Sequence, residues 1–184
     1  MALTIEHTGL PEVLVLHPRV HGDARGFFLE SYNAREFAAA IGSDPHFVQD
    51  NHSRSQARVL RGLHYQLAPR TQGKLVRVLR GAIFDVAVDL RRSSPRFGRW
   101  TGVQLDAGSH AQMWIPAGFA HGFLVLGDGA DVAYKATDYY APECERSIRY
   151  DDPRLGIEWP AGIDPLLSAR DAAAGMLDAA ELSP

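Results

Sequence analysis

The chain has 184 residues, of which 46% are hydrophobic and 22% charged, and its formal net charge is −3. This balance is typical of a globular protein long enough for one hydrophobic core, and we expect a single domain over residues 1–184. The charge argues against bulk electrostatic binding of nucleic acid, and no run of about 18 apolar residues predicts a membrane-spanning helix. The N-terminus lacks the features of a signal peptide, and the one cysteine, Cys144, favours a reducing, cytoplasmic compartment.

Short segments rich in β-branched and aromatic residues, separated by Gly, Pro, Asp and Ser clusters, make up most of the chain. They predict strands over residues 13–17, 26–31, 47–52, 59–66, 74–80, 82–90, 99–105, 112–115, 122–126 and 132–137. Asn33 and Glu36 form a capping box that predicts a short helix over residues 34–41, closed by Gly42. Arg80-Gly81 is predicted to be a tight turn, and the tail from residue 166 onward is rich in helix formers. So many closely spaced strands predict an all-β sandwich or small barrel of the jelly-roll type.

Basic residues are concentrated in a stretch without Asp or Glu that runs from Asn51 to Phe84. The stretch contains seven cations: Arg54, Arg58, Arg61, Arg70, Lys74, Arg77 and Arg80. Such a block fits a phosphate-bearing ligand. It also fits a solvated basic face whose charges pair with acidic residues elsewhere in the fold, which is the commoner case for such a run, and the sequence leaves both interpretations open.

The segment LRGLHYQ, residues 60–66, places His64 inside a predicted strand, close to Arg61. Regular alternation puts these two side chains on opposite faces, unless a bulge intervenes or the arginine reaches around the edge of the strand. Tyr134 and Lys74 lie in two other predicted strands. A histidine base, an ammonium beside the carbonyl oxygen and a phenolic acid on the opposite face suit epimerisation next to a carbonyl. Each of the three is also a common structural residue on a strand.

The segment PAGFAH, ending at His121, resembles the second signature of cupin barrels, in which the histidine is often a metal ligand. The first cupin signature normally supplies a His-x-His pair and a later Glu. Here Gln66 occupies the second histidine position, and no Glu follows before Phe84. Three good ligands therefore do not assemble, and we expect a cupin-like barrel without a metal site. Cys144 has no evident activating base nearby in the sequence, so nucleophilic catalysis is not predicted.

Eight segments in chain order carry a resemblance that covers most of the chain: RGFFLES, FVQDNHS, LRGLHYQ, GKLVRVLRG, FDVAVDLRRSSPRFG, WIPAGFAHGFLVL, YKATDYYAPE and DDPRLGIEWP. Together they resemble the dTDP-4-dehydrorhamnose 3,5-epimerase family. The resemblance implies an all-β, cupin-type double-stranded β-helix (jelly roll) with short flanking helices, without cofactor or metal. It also implies a homodimer with exchanged N-terminal strands.

The same resemblance implies a dTDP-4-keto-6-deoxyhexose substrate, whose C3 and C5 are inverted to give dTDP-4-dehydro-L-rhamnose, the precursor of dTDP-L-rhamnose. Relatives that invert a single centre share most of these motifs. A sugar-nucleotide-binding cupin without activity and a metal-dependent cupin oxygenase are the alternatives from other classes. The presence of both His64 and Tyr134 favours the epimerase.

The resemblance assigns four catalytic residues: the base His64, its orienting carboxylate Asp171, the acid Tyr134, and Lys74 near the keto oxygen. From the residues alone, Asp85 or Asp89 would be equally good partners for the histidine. Eight further positions match contacts to the nucleotide, pyrophosphate or sugar: Arg25, Glu30, Gln49, Asn51, Arg61, His121, Glu145 and Arg170. At Arg170 the family pattern has lysine, whose ammonium differs in geometry from a guanidinium. Several of these contacts are expected to cross the dimer interface.

Overall fold

The computed structural model describes residues 3–183, in which β-strands are the main regular secondary structure. The strands are β1 (Thr4–His7), β2 (Leu14–His17), β3 (Val20–Asp23), β4 (Gly26–Leu29), β5 (Gln49–Gln56), β6 (Leu60–Gln66), β7 (Lys74–Asp89), β8 (Trp100–Asp106), β9 (Gln112–Ile115), β10 (Phe119–Ala136) and β11 (Glu145–Ser147). The helices are α1 (Ala34–Ile41), α2 (Ala169–Ala172) and a 3₁₀ turn at Leu177–Ala179. None of the helices in this part of the chain has the length and apolar composition needed to cross a bilayer.

The two longest strands, β7 and β10, pair antiparallel and form the centre of a nine-stranded sheet. Strands β9 and β8 pair with the first and second halves of β7, while β6 and β5 do the same for β10. The chain is thus a cupin-type jelly roll, and the predicted fold class is confirmed. The barrel core is aliphatic, with Val76, Ile83, Val125 and Val132 among its buried residues.

The predicted tight turn at Arg80-Gly81 is wrong, because β7 continues through it as one bent strand. Gly81 has φ +75°, and the register between β7 and β10 shifts on the facing strand between Leu126 and Asp131. The two central strands therefore bend together, which lets each of them contribute to both halves of the barrel. The strands predicted at 122–126 and 132–137 are likewise the two halves of β10.

Helix α1 has the predicted bounds and caps. The side chain of Asn33 accepts hydrogen bonds from the backbone N–H groups of Arg35 and Glu36, and Gly42 ends the helix in the left-handed conformation. Its buried residue, Phe37, packs on Trp114 with ring centroids 5.2 Å apart. The helix thereby closes one face of the sheet.

The β3–β4 hairpin forms a separate two-stranded sheet. It carries Phe27 and Phe28, which are 64% and 66% exposed. A cavity of about 710 Å³ lies beside this hairpin, and it is also lined by Val78 and Leu79 of β7 and by His110 in the β8–β9 connection. The hairpin therefore displays an apolar surface that the rest of the chain does not cover.

Candidate active site

A bulge in β6 determines the relative orientation of Arg61 and His64. The pairing of β6 with β10 shifts by one residue between Arg61 and His64, so that two residues of β6 face Gly122 alone. The extra residue reverses the alternation and brings both side chains to one face. A Cβ on Gly62, which has φ +120°, would lie 2.6 Å from the Cα of Gly122, so the close approach requires glycine.

His64 forms a short hydrogen bond with Asp171, with 2.6 Å between Nε2 and Oδ1. The carboxylate is 4% exposed, and its second oxygen accepts a 2.8 Å bond from the hydroxyl of Ser168, the N-cap of α2. Burial raises the pKa of Asp171, but the hydrogen bonds from His64 and Ser168 outweigh it and hold the pKa below its ordinary value. Asp171 is therefore an ionised acceptor that fixes the orientation of the imidazole.

A second histidine–carboxylate pair lies beside the first, since His121 and His64 are opposite each other in the β6–β10 ladder. Nε2 of His121 is 2.6 Å from Oδ1 of Asp85, and both residues are buried. The other oxygen of Asp85 has no hydrogen-bond partner among residues 3–183. Asp85, which the sequence offered as a partner for His64, is thus the partner of His121.

Burial lowers the pKa of Lys74 to about 8, against the opposing effects of the Asp85 and Glu145 carboxylates. An ammonium with little water around it interacts more strongly with any charge that develops beside it.

Asp85 has a role that the sequence interpretation missed. The available signal was a carboxylate on the inward face of a strand, two positions from the buried Ile83 and Ala87.

Tyr134, on β10, is half-buried and packs against the barrel core. It lies opposite Val76 of β7 and Asn51 of β5, and Lys74 shares the inward face of β7 two residues before Val76. Burial raises the pKa of the Tyr134 phenol, and the nearby Arg61 partly opposes this effect. The phenol is therefore protonated at neutral pH and able to act as a proton donor.

Glu145 connects the residues of the site. One of its oxygens accepts hydrogen bonds from the Arg170 guanidinium at 2.5 Å and from the Tyr140 hydroxyl at 2.6 Å. Burial raises the pKa of Glu145, but these two bonds keep it below its ordinary value, and the charge of His64 acts in the same direction. Arg170, at the position where lysine was expected, forms an ion pair with Glu145.

Gln49 and Asn51 form the β5 side of the site. The Gln49 amide donates a 2.9 Å hydrogen bond to Oδ1 of Asn51, while its oxygen accepts from the backbone N–H of Tyr140 at 3.0 Å. Nδ2 of Asn51 is buried and has no partner in the described part of the chain. A buried donor without a partner is costly unless a ligand or water satisfies it.

Arg25 and Glu30 are not brought to His64 within one chain. Arg25 lies at the tip of the β3–β4 hairpin, where it forms an ion pair with Asp23. Glu30 accepts a 3.2 Å hydrogen bond from Asn33 at the start of α1. Both belong to the segment that contains the exposed hairpin.

The basic block divides between the two interpretations that the sequence left open. Arg54, Arg58 and Arg70 form ion pairs with acidic residues distant in sequence, as a solvated basic face would. Arg61 and Lys74 instead lie in the candidate site, where Arg61 is near Tyr134 and Lys74 is near Asp85. Arg61 donates to the buried hydroxyl of Ser55 at 2.9 Å.

No group of three or more His, Cys, Asp or Glu side chains within residues 3–183 is arranged to hold a metal ion.

Comparison with known proteins identifies relatives along almost the whole chain. A family model described as dTDP-4-dehydrorhamnose 3,5-epimerase matches residues 7–179. A protein of that name from Salmonella typhimurium is 56% identical over 176 residues, which cover 96% of each chain. The one from Pseudomonas aeruginosa is 59% identical over 162 residues, covering 88% of this chain and 89% of its own.

Solved structures give the same result. A Legionella pneumophila dTDP-6-deoxy-D-glucose-3,5-epimerase in complex with dTDP-4-keto-L-rhamnose has TM-score 0.94 at 54% identity, covering 97% of this chain and 95% of its own. A 3′-monoepimerase from Streptomyces bikiniensis in complex with dTDP-quinovose has TM-score 0.90 at 39% identity, with 97% and 92% covered. From the fold, the site and these matches, the chain belongs to the dTDP-4-dehydrorhamnose 3,5-epimerase family.

Proposed function

We propose that the chain epimerises dTDP-4-keto-6-deoxyglucose at C3 and C5 to give dTDP-4-dehydro-L-rhamnose, with His64 as base and Tyr134 as acid. The observation that carries this assignment is the 2.6 Å pair of His64 with the buried Asp171. His64, Lys74 and Tyr134 also share one charged neighbour, Glu145. The product is the precursor of dTDP-L-rhamnose, so the chain serves the synthesis of that nucleotide sugar. A nucleotide-sugar substrate and the free thiol of Cys144 support a cytoplasmic location.

The reaction uses the acidity that the C4 ketone gives to the hydrogens on both neighbouring carbons. Nε2 of His64 is occupied by Asp171, so Nδ1 is the nitrogen available to take the proton from the carbon. The electron pair of the broken C–H bond moves into an enolate, whose oxygen the Lys74 ammonium stabilises. Tyr134 then donates its phenolic proton to the opposite face of the same carbon, which inverts it.

His64 ends each half-reaction with an extra proton, and Tyr134 ends it as a phenolate. Proton exchange with solvent restores both groups before the second carbon reacts. The ionised Asp171 stabilises the imidazolium, and Arg61 stabilises the phenolate that forms on Tyr134. A form of the Streptomyces bikiniensis monoepimerase has been crystallised with a histidine and a tyrosine replaced, and their spacing matches that of His64 and Tyr134.

The remaining polar groups of the site suit the nucleotide and its pyrophosphate. Arg61 and Arg170 supply cations, and the free amide of Asn51 supplies a neutral donor. Gln49, His121 and Glu145 complete the wall around the sugar. The second histidine pair orients His121 through Asp85 and places a negative charge that keeps Lys74 protonated.

The decisive experiment incubates the protein with dTDP-4-keto-6-deoxyglucose in deuterated water and follows the sugar by NMR. We expect deuterium at both C3 and C5. Label at one carbon only would replace the proposal with a single-centre epimerase, and no label would refute an epimerase altogether. A metal analysis of the purified protein tests the oxygenase alternative.

His64→Asn is expected to abolish exchange at both carbons while dTDP binding changes by less than about threefold, because the base is not a nucleotide contact. The matched control is His52→Asn, since His52 is an exposed histidine 3.7 Å from Asp131. Its exchange rates should equal those of the unmodified chain. Exchange in the His64 variant at more than about 1% of the normal rate would remove that residue from its role as base.

Tyr134→Phe separates the acid from the base. We expect hydrogen exchange to continue, because His64 can still remove and return a proton on its own face. Inversion should fall by about a hundredfold or more, a typical contribution of general acid catalysis. Full product formation by this variant would exclude Tyr134 as the acid.

The active form is a homodimer in which the β3–β4 hairpin is exchanged between subunits. Its support is the exposed apolar face of Phe27 and Phe28, together with Arg25 at the hairpin tip, away from the rest of the site in one chain. Such an exchange would bring Arg25 and Glu30 to the partner's substrate. Light scattering should give twice the chain mass, and Phe27→Ser with Phe28→Ser should give a monomer with weakened dTDP binding. An active monomer would refute this arrangement.

A further inference from the structure

The loop Asp138–Ala141 joins β10 to the segment before β11 and has no strand partner. Its backbone is held instead by the side-chain amides of three glutamines. Gln72 donates to the carbonyl of Asp138 at 2.8 Å, and Gln49 accepts from the N–H of Tyr140 at 3.0 Å. Backbone polar groups outside regular structure need such partners to be kept out of water.

Gln66 forms more hydrogen bonds to the loop than either of the other two glutamines. It is 7% exposed and binds the loop at two positions, donating to the carbonyl of Tyr139 at 3.2 Å and accepting from the N–H of Ala141 at 2.8 Å. It also donates to the carbonyl of Arg70 at 2.6 Å. One neutral amide therefore satisfies the donor and acceptor pattern that a neighbouring strand would otherwise supply.

This role explains a residue that the cupin motif left without one. Gln66 stands where the second histidine of a cupin metal site would be, two residues after His64. An imidazole has one ring N–H donor and one acceptor in its neutral form, and it lacks the amide's reach and second donor hydrogen. Glutamine at this position exchanges a metal ligand for a backbone partner.

We propose that Gln66 and Gln72 are positioning residues that hold the loop as a fixed wall of the substrate site. The loop contacts the proposed substrate-binding residues directly. The hydroxyl of Tyr140, on the loop, donates to Glu145 at 2.6 Å, and Glu145 also forms an ion pair with Arg170. The inference rests on the proposed function, since it takes these residues as contacts to the dTDP-sugar. Holding them in place before the ligand arrives reduces the ordering that binding would otherwise require.

The test uses Gln66→Met and Gln72→Met, which keep the side-chain length and remove the hydrogen bonds. Gln104→Met is the matched control, because Gln104 is an exposed glutamine on β8. Circular dichroism checks the fold, titration calorimetry gives the Kd of dTDP, and deuterium exchange gives KM and kcat. For Gln66→Met we expect Kd and KM to rise about tenfold or more, with kcat within about threefold. Gln72→Met should show a smaller rise of the same kind, and the control should show none.

An unchanged Kd of dTDP in folded Gln66→Met would overturn the proposal, as would a fall in kcat without a change in Kd. If that variant does not fold, Gln72→Met decides by the same criterion, because it removes a single bond at a half-buried position. The two proposals fail separately. Weakened dTDP binding in the variants supports the wall even if the unmodified chain exchanges no deuterium, and that absence would refute the reaction alone.

Discussion

Asp171→Asn removes the charge that faces His64 while keeping the size of the side chain. The pair joins Nε2 and Oδ1 at 2.6 Å, with the carboxylate buried and its other oxygen held by Ser168. Hydrogen bonds to charged groups contribute about 1.5–3 kcal/mol, and this one strengthens when His64 takes the proton. Because each 1.36 kcal/mol changes a rate tenfold, deuterium exchange at C3 and C5 should slow by about 10- to 150-fold.

The measurement is the exchange rate in deuterated water at saturating substrate, compared with the Kd of dTDP. Asp152→Asn is the control, because Asp152 is an equally buried carboxylate that accepts backbone hydrogen bonds from Arg154 and Leu177. It should lower the free energy of unfolding and leave exchange unchanged. Exchange within twofold of normal in Asp171→Asn would show that the pair does not support the base.

Three further predictions concern Lys74, its neighbour Asp85 and the bulge. Because the pKa of Lys74 is about 8, its ammonium is charged below pH 8. In a pH–rate profile, the rate of deuterium exchange into the sugar should fall about tenfold per pH unit above that value. A flat profile up to pH 10 would contradict this role of the Lys74 charge. Asp85→Asn removes a negative charge that raises the pKa of Lys74, so the alkaline fall of the pH–rate profile should begin about one pH unit lower. An unchanged profile would show that Asp85 does not control the charge of Lys74. Gly62→Ala should lower the free energy of unfolding in urea by about 2–4 kcal/mol. The control Gly127→Ala should lower it by about 1 kcal/mol, because φ is also positive at Gly127 but the space around it is open. Equal losses of stability would refute the close approach of Gly62 to Gly122.

The strand whose bounds the sequence predicted best, β9, is a run of consecutive buried residues. Gln112–Ile115 and the helix Ala34–Ile41 have the predicted bounds, because burial and caps act within a few residues. Strands β1 and β3 were missed, since all of their residues are exposed and carry no alternation of apolar and polar side chains. The predicted turn at Gly81 failed for a different reason: a glycine with positive φ marks a bend in a long strand as well as a turn.

In the candidate site, residue types suggest possible chemistry more readily than they show which side chains pair. A base, an acid and an ammonium can be named from residue types, but strand alternation alone assigned Arg61 and His64 to opposite faces. The bulge that unites them depends on how closely β6 approaches Gly122, which is a property of the packed pair and not of either strand. The roles of Gln66 and Gln72 were equally inaccessible, because their partners are backbone groups of a distant loop.

The pairing of His64 with Asp171 shows how the fold supplies what local sequence lacks. The C-terminal tail meets the start of β6 at a parallel bridge between Val59 and Leu166, strengthened by backbone hydrogen bonds on both sides. His64 and Asp171 each follow this bridge by five residues, so the two segments advance together from one fixed point. Ser168 then starts α2 and turns the carboxylate toward the imidazole. Asp85, which is much nearer in sequence, is held by His121 on the other side of the ladder. Choosing the right carboxylate therefore requires the bridge, and changing the register of the tail at Leu166 would separate His64 from Asp171 without altering either residue.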